Sequence, residues 1–286
     1  MHPYEIVDVF TDAPLEGNPL AVFTEGEQIP SRLLQAIARE LNLSETVFVL
    51  PGSSDHDAHI RIFTPAAELP FAGHPTLGTA CVLAAARHLD TVRLKTGAGI
   101  VEVRLTRAPG ADEVMFGEMD QPIPTVEPFG NTDELLRALG VDAGAVELPI
   151  EQYTNGPTHV LVALGDAGAV ANLAPDHGAL ERLGALGFSC FAQTGERSGR
   201  TRMFGIGVGV REDPATGSAA GPIAAHLVRH GRLASGTTIE LSQGAEIGRP
   251  STLYATAVGT GAPAQIKRVT VGGNAVRVAH GHFRFG

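Results

Sequence analysis

Two short stretches place glycine and polar residues at the start of predicted helices, "FAGHPTLGTA" and "EDPATGSAAGP". Gly73 and His74 would open the first helix. Gly217 and Ser218 would open the second. A helix start presents unpaired backbone N–H groups and the positive end of the helix dipole, so either turn could bind a carboxylate without lysine or arginine. The alternative is that both are ordinary helix caps, because Gly, Ser and Asp are common at helix starts.

An internal similarity relates the two stretches. "GNPLAVF" corresponds to "NGPTHVLV", and "GHPTLGTA" corresponds to "GSAAGPIA", each at an offset of about 140 residues, which indicates a duplicated domain. A chain of 286 residues is also longer than one small domain needs. We therefore predict two domains, 1–124 and 125–286, joined by the proline-rich passage "MDQPIPTVEPFGN". Whether the final strand returns to the first domain stays open.

The segments around these stretches alternate between strand-like and helix-like patterns. "EIVDVF", "LAVFTE" and "HIRIFTP" are typical of strands, and "SRLLQAIAREL" is typical of a helix capped by Ser31. Glu45 stands at the start of the strand-like run "TVFVL". The helix that begins near Ser218 is expected to end at Gly231. The predicted class is α+β.

Composition and charge exclude several kinds of partner. The net charge is -10 and the basic residues are scattered, which argues against nucleic acid. The N-terminus has no basic start followed by a long apolar run, so neither secretion nor membrane insertion is predicted. Cys81 and Cys190 are isolated, and we expect them to be small buried core residues of a cytoplasmic protein. An anionic small-molecule partner would feel the overall negative field, so if the substrate is an acid its site must be locally positive.

The sequence shows no pattern for a cofactor or a metal. Lys95 and Lys267, the two lysines, lie in strand-like segments, which disfavours a pyridoxal phosphate Schiff base. "GIGVGV" has glycine spacing that differs from the dinucleotide-binding pattern. His226 and His230 are spaced as i and i+4, but they lack an intervening glutamate and an evident third ligand, so we interpret them as a surface helix face. We expect no metal and no organic cofactor.

Six stretches together resemble, in order and spacing, the PhzF family of phenazine-biosynthesis isomerases. They are "LNLSETVFVL", "RIFTPAAELPFAGHPTLGTA", "MDQPIP", "NGPTHV", "EDPATGSAAGP" and "GAEIGRPS", and the resemblance covers nearly the whole chain. The broader family is similar in fold to diaminopimelate epimerase. The resemblance therefore implies two pseudo-symmetric domains, each a strongly curved β-sheet or barrel around a central helix, with the site in the cleft between them.

The resemblance also implies a reaction and roles for particular residues. The reaction is the isomerisation of trans-2,3-dihydro-3-hydroxyanthranilate by a proton shift from C3 to C1, which gives an aminoketone that condenses with a second molecule toward the phenazine skeleton. Glu45 would be the general acid/base, and His74 and Asp213 would orient the polar groups of the substrate. The residues implied to line the carboxylate-binding turns are Gly73, Gly217 and Ser218. A homodimer is implied as well, with downstream phenazine-biosynthesis enzymes as candidate partners.

The chemistry agrees with a single carboxyl group at the site. A proton shift on one face of a ring needs one group that takes the proton and returns it, whereas inversion of a centre needs one group on each face. The related epimerases use two cysteines at these helix starts, and this chain has none there. Two alternatives stay open. One is a cofactor-independent epimerase, racemase or isomerase of another small carboxylic or amino acid, and the other is a non-catalytic binding protein.

Overall fold

Strands outnumber helices in this chain, whose computed structural model describes residues 1–107, 114–184 and 186–285. The helices are α1 (Ser31–Leu41), α2 (Gly73–Arg87), α3 (Thr132–Leu139), α4 (Ala167–Ala171), α5 (His177–Arg182) and α6 (Gly217–Arg229). The strands are β1 (His2–Val9), β2 (Asn18–Phe23), β3 (Glu45–Pro51), β4 (Ala58–Phe63), β5 (Glu68–Leu69), β6 (Thr91–Thr96), β7 (Gly99–Arg107), β8 (Val114–Gln121), β9 (Thr125–Pro128), β10 (Glu151–Thr154), β11 (Thr158–Ala163), β12 (Gly187–Gly195), β13 (Ser198–Gly205), β14 (Val210–Asp213), β15 (Thr238–Gln243), β16 (Ser251–Thr260) and β17 (Gln265–Phe283).

The chain divides into two compact units. Unit 1 comprises Met1–Asp120 and Gly272–Gly286, and unit 2 comprises Gln121–Val271. The chain therefore passes from one unit to the other inside β8 and returns inside β17.

Unit 1 is a closed ring of eight strands with a buried helix against it. The hydrogen-bonded neighbours around the ring are β1–β2, β2–β3, β3–β4, β4–β6, β6–β7, β7–β8, β8–β17 and β17–β1. Helix α2 contacts β1, β2, β3, β6 and β7. Its residues from Gly73 to Ala84 are all buried. Small and apolar side chains all round the helix, such as Ala80 and Cys81, allow strands to pack on several of its sides.

Unit 2 follows the same plan with a different set of strands. Neighbours β10–β11, β12–β13 and β15–β16 are antiparallel, and β11–β12 and β13–β15 are parallel. Unit 1 repeats this order of directions in β1–β2, β2–β3, β3–β4, β4–β6 and β6–β7. Helix α6 occupies the place of α2, because it is buried from Gly217 to Val228 and contacts β11, β15 and β16. The predicted α+β class with two similar domains around central helices is confirmed.

Two predicted helix ends differ from the structure. Ser31 is the first residue of α1, and Pro30 occupies the cap position, where its fixed φ suits a helix entry. Helix α6 ends at Arg229 with His230 as its cap residue, two residues before the predicted end at Gly231. Gly231 does have the positive φ expected after a helix, so the glycine signal identified the turn rather than the last helical residue.

Candidate active site

Glu45 and His74 lie together in unit 1. Glu45 is the first residue of β3, where it pairs with Leu20 of β2, and His74 is the second residue of α2. The Nε2 atom of His74 is 3.3 Å from Oε2 of Glu45. The side chains are 4% and 12% exposed, respectively. The strand start and the helix start thus bring two titratable groups together in a largely water-excluded place.

The imidazole of His74 is neutral at pH 7. Burial lowers the pKa of His74 to about 3, because the charged ring would lose its hydration. The contact with Glu45 is therefore one between a neutral ring and a carboxyl group rather than a salt bridge. A neutral imidazole has one nitrogen that donates and one that accepts. It can donate to an ionised Glu45 or accept from a protonated one, which suits a carboxyl group that gains and loses a proton.

The start of α2 offers backbone donors at the same place. The cap residue Ala72 has no polar side chain, and Pro75 has no N–H. Thr76 makes the first helical contacts, with its N–H 3.4 Å and its Oγ1 2.8 Å from the carbonyl oxygen of Ala72. The N–H groups of Gly73 and His74 come before this turn, at the positive end of a buried helix.

Asp213 lies in unit 2, at the end of β14 and just before α6. Its Oδ2 accepts a hydrogen bond of 2.6 Å from Oγ1 of Thr216, which is the cap residue of α6. Gln243 holds this turn, because its Nε2 donates to the carbonyl oxygen of Asp213 at 2.8 Å and its Oε1 accepts from the N–H of Thr216 at 3.1 Å. Asp213 is not the cap residue of α6, because the helix begins at Gly217 and Thr216 precedes it.

Gly217 and Ser218 are the first two residues of α6, and both are buried. The N–H groups of Ala219 and Ala220 both donate to the carbonyl oxygen of Thr216 at 3.0 Å, so the helical bonds begin after Ser218. The Ser218 hydroxyl oxygen is 3.0 Å from Nε2 of His159. Burial lowers the pKa of His159 to about 4, so this ring is also neutral at pH 7.

A proline inside α6 explains one of the two amide side chains that bind its first turn. Pro222 has no N–H to donate to the carbonyl oxygen of Ser218, four residues earlier. Asn155 replaces that donor, with Nδ2 at 3.0 Å from the Ser218 oxygen. Gln121 donates to the carbonyl oxygen of Gly217 at 2.8 Å and accepts from Asn155 at 3.3 Å. These side chains fix the orientation of the first turn.

The sequence analysis missed these supporting residues. Gln121 lies in "MDQPIP", and Asn155 and His159 lie in "NGPTHV", so the motifs that carry the resemblance contained the signal. Gln243 has no such signal, because it reaches Asp213 only through the pairing of β13 with β15. Long-range pairing of this kind cannot be read from local spacing.

The environment of the two cysteines agrees with the predicted one. Cys81 and Cys190 are buried, as predicted, and burial raises the pKa of each thiol to about 12. Neither is poised as an acid/base.

The interpretation of His226 as part of a surface helix face is wrong, because its side chain is fully buried and lies 3.2 Å from Glu151. Helix α6 is central to unit 2, so a position that would be exposed on an outer helix faces strands here.

The fold of the chain is shared with proteins whose solved structures are described as a racemase and an epimerase. A probable proline racemase from Agrobacterium radiobacter has a similar fold, with a TM-score of 0.69 at 15% identity over 100% of this chain and 94% of that one. The model of the family described as "Phenazine biosynthesis-like protein" matches residues 7–281, and the chain belongs to this PhzC/PhzF family. The predicted family is confirmed.

Two relatives are similar to the chain along its length. An enzyme of Pseudomonas fluorescens named trans-2,3-dihydro-3-hydroxyanthranilate isomerase is 50% identical over 283 residues, which is 98% of this chain and 99% of that protein. A structure from Pseudomonas aeruginosa described as a "Predicted Epimerase" has a TM-score of 0.83 at 32% identity and covers 100% of both chains. Among the described residues, no helix is both long enough and apolar enough to cross a membrane.

Proposed function

We propose that the chain is an isomerase that converts trans-2,3-dihydro-3-hydroxyanthranilate to an aminoketone by a proton shift from C3 to C1. The relative from Pseudomonas fluorescens is named as an isomerase of this substrate, and it is similar to this chain from end to end. The observation that carries the proposal is the pair formed by Glu45 and His74, a carboxyl group 3.3 Å from a buried neutral imidazole.

Glu45 is the proposed acid/base. Its carboxylate takes the proton from C3 as the C3–H bond breaks, and its carboxyl group returns that proton to C1 as the C1–H bond forms. The ring double bonds shift in between, so substrate and product have the same atoms and no electron acceptor is needed. The resulting enol becomes the ketone. His74 would donate to the Glu45 carboxylate or to a polar group of the substrate, which keeps the carboxyl group oriented through both steps.

The helix starts are the proposed sites for the polar groups of the substrate. Gly217 and Ser218 offer two backbone N–H groups and a hydroxyl group at the buried positive end of α6, and Gly73 offers one at the start of α2. Asp213, which Thr216 and Gln243 hold in place, would accept a hydrogen bond from an amino or hydroxyl group. The proposed reaction uses no metal and no organic cofactor.

The test is conversion of the named substrate by purified protein. Absorbance would follow substrate loss, and mass spectrometry would detect condensed tricyclic products. We expect Glu45→Gln to fold and to lose about 10²- to 10⁴-fold in turnover, because an amide cannot carry the proton. Glu40→Gln, at an exposed glutamate of α1, is the matched control and should leave turnover unchanged.

Two results would contradict the proposal. Full turnover by Glu45→Gln would remove the proposed role of that residue. No conversion by folded wild-type protein would mean a different substrate in the same family. The epimerase or racemase alternative would then be tested by solvent deuterium exchange at Cα of small amino acids. The two buried thiols give that alternative little support.

We also propose that the enzyme is a cytoplasmic homodimer. The two buried cysteines are free thiols, which is compatible with a reducing compartment. Light scattering coupled to size-exclusion chromatography would give the mass in solution. A mass of one chain at working concentration would contradict the dimer, and recovery of the protein outside the cytoplasmic fraction would contradict the compartment.

A further inference from the structure

A cluster of metal-ligating side chains lies inside unit 2, at the C-terminal end of α6. It consists of Glu151 and Tyr153 on β10, His226 in the last turn of α6 and His230 at its cap; we call it the His–Glu cluster. Glu151 provides the third ligand that the sequence did not reveal, because β10 lies far from the two histidines along the chain. None of these residues belongs to the proposed catalytic machinery.

Two of the three separations between ligand atoms in the cluster are close to those that a tetrahedral cation requires. Oε2 of Glu151 is 3.2 Å from Nδ1 of His226 and 3.1 Å from Nε2 of His230. The ligand atoms of the three residues all lie within 4.8 Å of one another. Two ligands bound to Zn²⁺ at 2.0–2.1 Å in tetrahedral geometry are separated by about 3.3 Å. A cation could therefore bind with only small side-chain movements.

The surroundings hold the ligands in place. The side chain of His226 is fully buried, whereas Glu151 and His230 are 15% and 18% exposed, so the cluster can be reached from solvent through those two residues. The hydroxyl group of Tyr153 donates to Oε2 of Glu151 at 3.0 Å, which orients the carboxylate. The C-terminal end of a helix also carries a partial negative charge, which favours a cation.

We propose that Glu151, His226 and His230 bind one divalent transition-metal cation of the Zn²⁺ or Co²⁺ type. Two imidazoles and one carboxylate suit these ions, whereas Mg²⁺ and Ca²⁺ prefer oxygen ligands throughout. Nη2 of Arg229 lies 3.6 Å from Oε1 of Glu151, so Oε2 is the oxygen that remains for the cation. The positive charge of Arg229 weakens the attraction of the site for a cation. The proposal goes beyond the isomerase function and does not depend on it.

Cation binding would be measured with the full chain, without a histidine tag and after treatment with a chelator. Titration with Co²⁺ would be followed by the visible absorption bands of a tetrahedral cobalt site, and titration with Zn²⁺ by calorimetry. We expect one ion per chain. His230→Ala should weaken binding by about tenfold or more, since loss of a ligand costs at least as much as loss of a supporting residue. His280→Ala, at an exposed histidine outside the cluster, is the matched control and should bind like wild type.

A second variant keeps the test decisive if His230→Ala does not fold. Glu151→Gln retains the size of the side chain and should also weaken binding and abolish the tetrahedral cobalt bands. Circular dichroism would verify folding of both variants. Absence of binding by wild type would overturn the proposal. Equal binding by wild type, His230→Ala and Glu151→Gln would overturn it too, since the ion would then occupy another place.

Discussion

The starts of α2 and α6 are equivalent positions in two units with the same order of strand directions, but different side chains surround them. At α2, a glutamate and a histidine are in contact, so this start has groups that can move a proton. At α6, amide, hydroxyl and imidazole groups form a hydrogen-bonded network around the first turn. The donors of this turn are oriented to bind polar groups of a substrate. The duplicated backbone thus supplies equivalent N–H groups at two helix starts. The side chains around α2 are suited to proton transfer, whereas those around α6 are suited to positioning a substrate.

The two prolines near these helix starts differ in whether their missing N–H leaves a carbonyl oxygen without its helical donor. Pro75 is the third residue of α2, where its missing N–H has no helical acceptor and costs nothing. Pro222 is the sixth residue of α6, where the missing N–H leaves the Ser218 carbonyl oxygen to Asn155. The start of α6 therefore depends on residues that are distant along the chain, such as Asn155.

The largest expected effects concern the two buried neutral histidines, His159 of unit 2 and His74 of unit 1. The pKa of His159 is lowered from 6.5 to about 4, so below pH 6.5 the unfolded chain takes up a proton that the folded chain refuses. The free energy of unfolding should therefore fall as the pH drops from 6.5 to 4, by up to about 3 kcal/mol from this residue. Urea unfolding of His159→Gln between pH 4 and 7 should show a shallower decline.

The exposed histidine variant His280→Gln is the control, because it makes the same replacement outside the buried sites. An identical decline for His159→Gln and wild type would mean that His159 does not keep its low pKa. In unit 1, the contribution of His74 to the fall in the free energy of unfolding should extend from pH 6.5 down to about pH 3. His74→Gln should remove that contribution.

A smaller effect is expected from the amide that replaces the helical donor. Asn155→Leu removes the donor to the Ser218 carbonyl oxygen, which Pro222 cannot restore, so the free energy of unfolding should fall by about 1–3 kcal/mol. Adding Pro222→Ala supplies an N–H to that oxygen and should recover part of the loss. Urea unfolding of both single variants and the double variant checks this coupling. Strict additivity would show that Asn155 does not substitute for the missing helical bond.

The smallest expected effect separates positioning from proton transfer. When Nε2 of His159 carries the proton, it donates to Ser218 Oγ and leaves the hydroxyl hydrogen for a carboxylate oxygen of the substrate. Ser218→Ala should then raise KM by about tenfold with little change in kcat, because a uniform binding interaction is lost. His159→Gln should act in the same direction, and the double variant should be no worse than Ser218→Ala. A fall in kcat without a change in KM would place Ser218 in the chemical step instead.

Much of the fold and part of the site could be predicted from the sequence. The helix over "HPTLGTACVLAAARHL", the strand after Glu45 and the buried cysteines follow from local pattern and residue size. The burial of His226 could not be predicted, because the i and i+4 spacing does not say whether strands cover that face. The roles of the predicted site residues stay predictions until the variants are measured.

The sequence by itself determined the class of fold, the duplication, the family and the positions of the glycines that begin α2 and α6. The helix starts follow from short-range propensities, the duplication from stretches that recur at an offset of about 140 residues, and the family and its fold from a resemblance of six stretches spread along the chain. Only the tertiary structure decided that Glu45 meets His74, that Gln243 holds Asp213 and that Asn155 replaces the donor missing at Pro222. Each of these contacts depends on strand order and register, and the contacts of Gln243 and Asn155 give hydrogen-bond partners to buried backbone groups that local structure leaves unsatisfied.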